Sequence, residues 1–350
     1  MAITKLKTSG INNVIKSDSM LVDNGQYSSS FIAVTHVTSP YISVYPWLPG
    51  FGTKYANPAT LPTGDGEDVA FSPSGNAIAV SHYTSPRISV YPWNSGFGTK
   101  YANPATLPTG SAGYGVTFSP SGNDIAVADS DIAAYPWTSG SGFGTKYANP
   151  SPAVAGIATK VTYSPSGNDI AVTHSTTPFV SVYSWTSGSG FGTKYADPTT
   201  LPTATGNSVA FSPSGNAIAV ASNSTTNILV YPWLPGFGTK YANPATQPNG
   251  FANDVAFSPS GNDIAIAHGS VPRISVYPWN PGFGTKYADP ATQPSSAGYA
   301  VAFSPSGNDI AVANSATPFV SVYPWASGFG TKYADPTTLP TGIAWGVAFI

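Results

Sequence analysis

The hexapeptide Phe-Gly-Thr-Lys-Tyr-Ala occurs seven times, beginning at Phe51, Phe97, Phe143, Phe191, Phe237, Phe283 and Phe329, at spacings of 46, 46, 48, 46, 46 and 46 residues. A repeat constrains the fold more than any other feature. A unit this short cannot bury its apolar face alone and must stack on copies of itself. One array of seven copies absorbs the whole chain, which overrides the two-domain prior that 350 residues would otherwise suggest.

The unit from Asp68 to Pro108 shows what is stacked. Val69-Ala70-Phe71 is a short apolar run ended by Ser72-Pro73-Ser74-Gly75-Asn76. There Pro fixes φ early in the turn and Gly supplies a positive φ, the chemistry of a tight reversal. Ala77 to Val80 resumes as β, and Ile88-Ser89-Val90-Tyr91 alternates with the period of a strand. Pro92 marks a strand end, because it cannot donate to a ladder. Phe97 to Ala102 is expected as a fourth, outer strand, stopped by Asn103-Pro104. Four short strands per unit, seven units and no helical period predict an all-β, seven-bladed β-propeller of four-stranded blades. The Ser-Pro-Ser-Gly-Asn turn is missing from the first unit, while Gly346 to Ile350 matches an innermost strand and stops where that turn would begin. The first blade is therefore expected to take its inner strand from the C-terminus and the others from residues 31 to about 58, closing the ring.

Phe-Ser-Pro-Ser-Gly-Asn followed by Ile-Ala-Val resembles the inner hairpin of WD-repeat propellers, and Ile-Ser-Val-Tyr-Pro-Trp resembles their third strand, over about residues 25 to 350. Tyr-Pro stands where Trp-Asp is usual and no Gly-His precedes the inner strand, so the resemblance implies the fold without the family's hydrogen-bond tetrad. Fold alone implies no activity.

Composition excludes several classes. With net charge −2 and no basic tract, the footprint of a nucleic-acid binder is missing. There is no cysteine and no apolar stretch of membrane-spanning length, so neither a thiolate metal site nor membrane insertion is expected. No cofactor or metal is anticipated. His36, His82, His174 and His268 all follow the second strand of a unit, where they read as polar caps too far apart around a ring to share a metal. The Tyr-Pro-Trp aromatics read as packing between blades, with sugar-binding shelves as the alternative. The recurrent Lys reads as an edge charge with its head in water. Catalysis finds little support: Glu67 is the only Glu, and it sits with Asp65 and Asp68 in a loop without an evident partner. The expectation is therefore no enzyme.

The copies differ mainly after the second strand and in the link to the next blade. A four-stranded meander puts both loop classes on one face. The residues that individualise that face are Tyr83, Arg87, Tyr114, Phe251, Arg273, Tyr299 and Trp345, a candidate ligand- or partner-binding surface. Residues 1 to 24 are not a copy. Their opening, Met-Ala-Ile-Thr-Lys-Leu-Lys-Thr-Ser-Gly-Ile, resembles the start of tailed-phage fibre and tail structural proteins. This resemblance implies an anchoring arm through Ile3, Leu6, Ile11, Val14 and Ile15, with residues 25–350 as the propeller. It also implies a phage virion protein (tail fibre, spike or head-attached) located in the extracellular particle. The arm would bind other virion proteins, and the variable face a host-surface glycan or protein. A capsid or tail decoration protein and a glycan-binding, lectin-like propeller are the alternatives, with a carbohydrate-active enzyme the remotest.

Overall fold

A computed structural model describes residues 21–23, 26–28, 30–224 and 227–350. The arm residues Ile3, Leu6, Ile11, Val14 and Ile15 lie outside the described residues. The described chain is all-β. Beyond a small hairpin (Leu21–Asp23 with Gln26–Ser28) it forms seven antiparallel sheets of three or four strands in a propeller-like arrangement. The inner strands, numbered here by blade, are Ala344–Phe349 (blade 1), Gly66–Phe71 (2), Gly115–Phe118 (3), Ala158–Tyr163 (4), Gly206–Phe211 (5), Ala252–Phe257 (6) and Gly298–Phe303 (7). Blade 1 joins the two ends of the chain: Val347 pairs with Val34, Ala348 with Ala33 and Phe349 with Ile32.

The repeated residues explain the blade. In each Ser-Pro-Ser-Gly-Asn turn the first Ser N–H donates to the carbonyl five residues on (Ser72 to Ala77, 2.9 Å), and its Oγ accepts the Ala77 N–H at 3.0 Å. Gly75 sits at φ 70, where an L side chain would be strained. Second strands are buried on both faces because they are sandwiched between neighbouring blades. Small and large residues alternate so that adjacent blades interdigitate. Ala77 and Ala79 of blade 2 meet Val116, Phe118 and Ile125 of blade 3, while Ile78 and Val80 face blade 1. The seven Trp of the Tyr-Pro-Trp motifs (Tyr-Ser-Trp in blade 4) are at most 5% exposed, so these aromatics are mortar and not sugar shelves. Trp93, for example, packs edge-on against Phe31 of blade 1 at 5.3 Å and Phe97 of its own blade at 5.0 Å.

The outer strand departs from expectation. Only blades 3 and 4 have a regular fourth strand, Gly142–Phe143 and Gly190–Lys194; elsewhere it shrinks to a single bridge such as Trp93 with Phe97. The motif Pro and the short link before Phe act together, since blade 3 keeps Pro136 but has a longer link and forms its outer strand. Gly98 N donates to Pro92 O at 2.9 Å, but Pro92 has no N–H to return the bond. Blade 4 carries Ser184 in place of Pro and has the longest outer strand. Blades 3 and 4 also use the longer link Thr-Ser-Gly-Ser-Gly before Phe, which completes a proper hairpin.

Candidate functional site

One cavity of about 240 Å³ is lined by inner strands from all seven blades. It opens where those strands begin, which is the variable face. Its rim is built by one device. In six blades the register between inner and second strands slips by one residue near the inner strand's start, between Gly66 and Asp68 in blade 2 and at the matching place in blades 1, 4, 5, 6 and 7. The skipped residue of such a bulge is unpaired and can be aimed out of the sheet. The skipped residues are Glu67, Thr159, Asn207, Asn253, Tyr299 and Trp345, and Tyr114 completes the ring just before the strand of blade 3. Equivalent positions thus carry five residue types among seven blades.

A second ring lies one residue deeper: Asp68, Gly115, Lys160, Ser208, Asp254, Ala300 and Gly346. Below it every blade contributes Val: Val69, Val116, Val161, Val209, Val255, Val301 and Val347. The second ring is an ionic network. Lys160 Nζ reaches across blade 3 to Asp68 Oδ2 at 2.7 Å. Gly115 makes room, since a Cβ there would lie 3.1 Å from Lys160 Cα and 3.3 Å from its Cδ. The same Asp68 oxygen accepts Val116 N–H at 3.0 Å, and Asp254 Oδ2 accepts Val301 N–H at 2.9 Å, so each carboxylate also ties its blade to the next. Ser208 Oγ donates to Asp254 Oδ1 at 2.5 Å. Burial alone would lower the Lys160 pKa, but Asp68 and Asp254 more than offset it and raise it, so the ammonium stays charged. Burial raises Asp254, partly opposed by Lys160 and Ser208.

On the rim, burial first, then Asp65 and Asp68, push Glu67 up to about 7. A carboxyl poised there exchanges protons at neutral pH. Neutral amides share the rim: Asn253 Nδ2 donates to Gly298 O at 2.7 Å and Asn207 Nδ2 to Ala252 O at 2.7 Å. Tyr299 and Trp345 pack ring to ring at 4.1 Å and 41°, forming an apolar wall on one side.

Of the face residues named from sequence, Tyr114, Tyr299 and Trp345 line this cavity. Tyr83 and Phe251 are exposed outside it. Arg87 folds back on the backbone, Nη1 to Tyr83 O at 2.7 Å and Nε to Gly110 O at 3.1 Å, and Arg273 Nη1 reaches Gln293 Oε1 at 3.5 Å. Glu67 lies on the inner strand of blade 2 with Asp65 and Asp68 as its charged neighbours, and the ion pair beneath it joins Lys160 to Asp68. His36, His82, His174 and His268 end buried second strands; His36 Nδ1 meets Thr38 O at 2.7 Å and Nε2 meets Ser43 Oγ at 3.1 Å. No cluster of three or more metal-ligating side chains occurs among the described residues. The recurrent Lys bonds locally, as Lys240 does to Asn243 Oδ1 at 2.6 Å.

No protein-family model matches the chain, and no curated protein matches its sequence. Solved structures do. A proposed 6-phosphogluconolactonase from Bacteroides uniformis is similar with a TM-score of 0.71 at 14% identity, over 92% of this chain and 99% of that one. The periplasmic gluconolactonase of Pseudomonas aeruginosa gives a TM-score of 0.68 at 16% identity over 92% and 99%. A proposed 6-phosphogluconolactonase from Bacteroides fragilis gives 0.69 at 10% identity over 92% and 98%. At these identities the likeness establishes the fold, a seven-bladed propeller. It also corrects the functional expectation. These similar structures are bacterial proteins named for lactonase activity and not parts of a particle. The reading as a phage fibre, spike, head-attached or decoration protein, the virion location and the exclusion of enzymes are therefore withdrawn. The phage reading rested on a dozen residues outside the described structure, and the exclusion of enzymes on Glu67 having no evident partner.

Proposed function

We propose that the chain is a hydrolase acting on a lactone of a hydroxylated, sugar-derived acid at the mouth of the central channel. The observation that carries this reading is the rim: Glu67, the chain's single Glu, is half-buried in the same cavity as a charged Lys160, where the repeats lose their likeness. The lactonase names of the similar folds support the substrate class. In this reading Tyr299 and Trp345 pack against the apolar face of the ring, and the Asn207 and Asn253 amides and Thr159 bond its hydroxyls. The Glu67 carboxylate takes a proton from water as the water oxygen bonds to the lactone carbonyl carbon. The carbonyl electrons move to oxygen, where the positive field of Lys160, which it shares with Asp68, favours the oxyanion. Collapse re-forms the carbonyl and breaks the bond to the ring oxygen, which takes back the proton from Glu67. The product is the open hydroxy acid. Pairing of Ala344–Phe349 with Phe31–His36 would close the ring, because Trp345 brings blade 1 into the same cavity as the other six.

The test is hydrolysis of aldono-lactones between pH 5.5 and 7.5. The base must be ionised, so kcat/KM should rise with pH through about 7. Glu67→Gln should lower kcat by about 100-fold or more while KM changes little. An enzyme no faster than the uncatalysed background on this panel, or a fully active Glu67→Gln, would overturn the proposal.

A further inference from the structure

The charges at the same mouth bear on which lactone could enter, an inference that rests on the hydrolase reading. Glu67 and Asp254 line the cavity and Asp68 the layer just beneath it, with Lys160 the one cation among the described residues there, and Asp65 adds its field to Glu67. Lys160 is already committed to Asp68 at 2.7 Å and influenced by Asp254. Among the described residues no other basic side chain lines the cavity, and Arg87 and Arg273 are occupied with Tyr83, Gly110 and Gln293 outside it. The remaining polar rim groups, Thr159, Asn207 and Asn253, are neutral. A phosphate dianion bound here would meet like charge, with Lys160 already paired to Asp68. Such juxtapositions are strongly disfavoured in a partly desolvated site. An uncharged polyol finds acceptors and donors matched to hydroxyls and an aromatic wall matched to C–H faces.

We propose that the substrate is an uncharged polyhydroxylated lactone and that the Glu67–Asp68–Asp254 triad excludes phosphorylated counterparts. In this the mouth would differ from what the names of two of the similar folds imply for those proteins.

Two arms test this on the full chain. In the first, hydrolysis of a neutral six-membered aldono-lactone is compared with that of its terminal phosphate ester. The neutral compound should be favoured by about 100-fold in kcat/KM, and Asp254→Asn should narrow that ratio by about tenfold. In the second, calorimetry compares the matching non-hydrolysable lactam with its phosphorylated form; the neutral lactam should bind and the phosphorylated one should not. If neither lactone is hydrolysed but the lactams discriminate in this way, the charge selection stands and the hydrolase reading falls. Equal or better use of the phosphorylated compound in either arm, or no binding of either lactam, overturns the inference.

Discussion

Acid should unfold this protein through its histidines before it touches most carboxylates. His36, His82 and His268 are fully buried and their pKa values are lowered to about 4, first by loss of hydration, against hydrogen bonds that pull the other way. A base whose folded pKa lies below its unfolded value contributes stability above the unfolded pKa, near 6.5, and loses it as pH falls through the folded one. Between pH 7 and pH 5 each His then costs about 1.8 kcal/mol, and by pH 4 about 2.8 kcal/mol. Glu67 works in the opposite sense. Its folded pKa is raised to about 7, so acidification relieves about 2 to 3 kcal/mol over the same range. The net loss is about 3 kcal/mol at pH 5 and about 6 kcal/mol at pH 4. For a chain of this length unfolding entropy makes 1 kcal/mol worth about 1.5 °C, so the Tm should fall by about 5 °C and then about 9 °C. Calorimetric melts across pH 4 to 7 measure this. Replacing the three His with Asn, the residue blade 7 uses at Asn314, should flatten the curve, and Glu67→Gln should steepen it. A wild-type Tm constant from pH 7 to pH 4, or a triple variant as acid-sensitive as the parent, would refute the assignment of this sensitivity to the strand-end histidines.

Two further outcomes are expected. Lys160→Met strands Asp68 and Asp254 without their cation and should cost about 3 to 5 kcal/mol in urea unfolding, with most of that recovered when Asp68→Asn is added. Ala77→Asp should raise stability by about 1 kcal/mol, seen as a slightly higher Tm, because three of the four blades that carry Asp at this turn, blades 4, 6 and 7, use it twice. In blade 6 Asp263 accepts Tyr287 Oη at 2.9 Å and Trp325 Nε1 of the next blade at 3.1 Å, whereas Trp137 Nε1, facing Ala77, is buried without a partner. A lower Tm for Ala77→Asp would show that the carboxylate's burial outweighs both bonds.

The fold was legible because each constraint is written seven times. The Ser-Pro-Ser-Gly-Asn turn, the alternating strands and the orphan C-terminal Gly346 to Ile350 each correspond to the structure, down to Val347 opposite Val34. The outer strand was misread because Phe97 to Ala102 has strand-like residues but lies beside Pro92, whose missing N–H halves the ladder. The site was half legible. Tyr114, Tyr299 and Trp345 stood out as large and variable, but Thr159, Asn207 and Asn253, their equivalents, look like ordinary loop polar residues. Lys160 and Asp68 belong to different blades, and nothing local announces a contact that only the ring creates. One signal was available: the seven copies aligned on the inner-strand Val place Glu67, Tyr114, Thr159, Asn207, Asn253, Tyr299 and Trp345 in one column and Asp68 and Lys160 in the next.

That column also explains why the site must be where it is. Seven identical side chains converging on an axis make a seven-fold symmetric environment, and the Val ring is such a collar, uniform because each Val has the same packing duty. A small chiral ligand has no seven-fold symmetry. It can be oriented only where symmetry is broken, and orientation of reacting groups is a large share of what a catalytic site supplies. In this chain variation on the outer connections scatters around a perimeter, where Tyr83 and Phe251 are too far from one another's blades to act on one small molecule. Variation at the bulged residue and the one after it, near the start of the inner strands, converges instead. The bulge makes that convergence inexpensive: it frees one residue per blade from the ladder, so Glu67 or Trp345 can be exchanged for any other type without disturbing the register of Val69 or Val347 below. The repeat therefore holds the scaffold constant while one column, and one salt-bridged ring beneath it, carries whatever chemistry distinguishes this propeller from another.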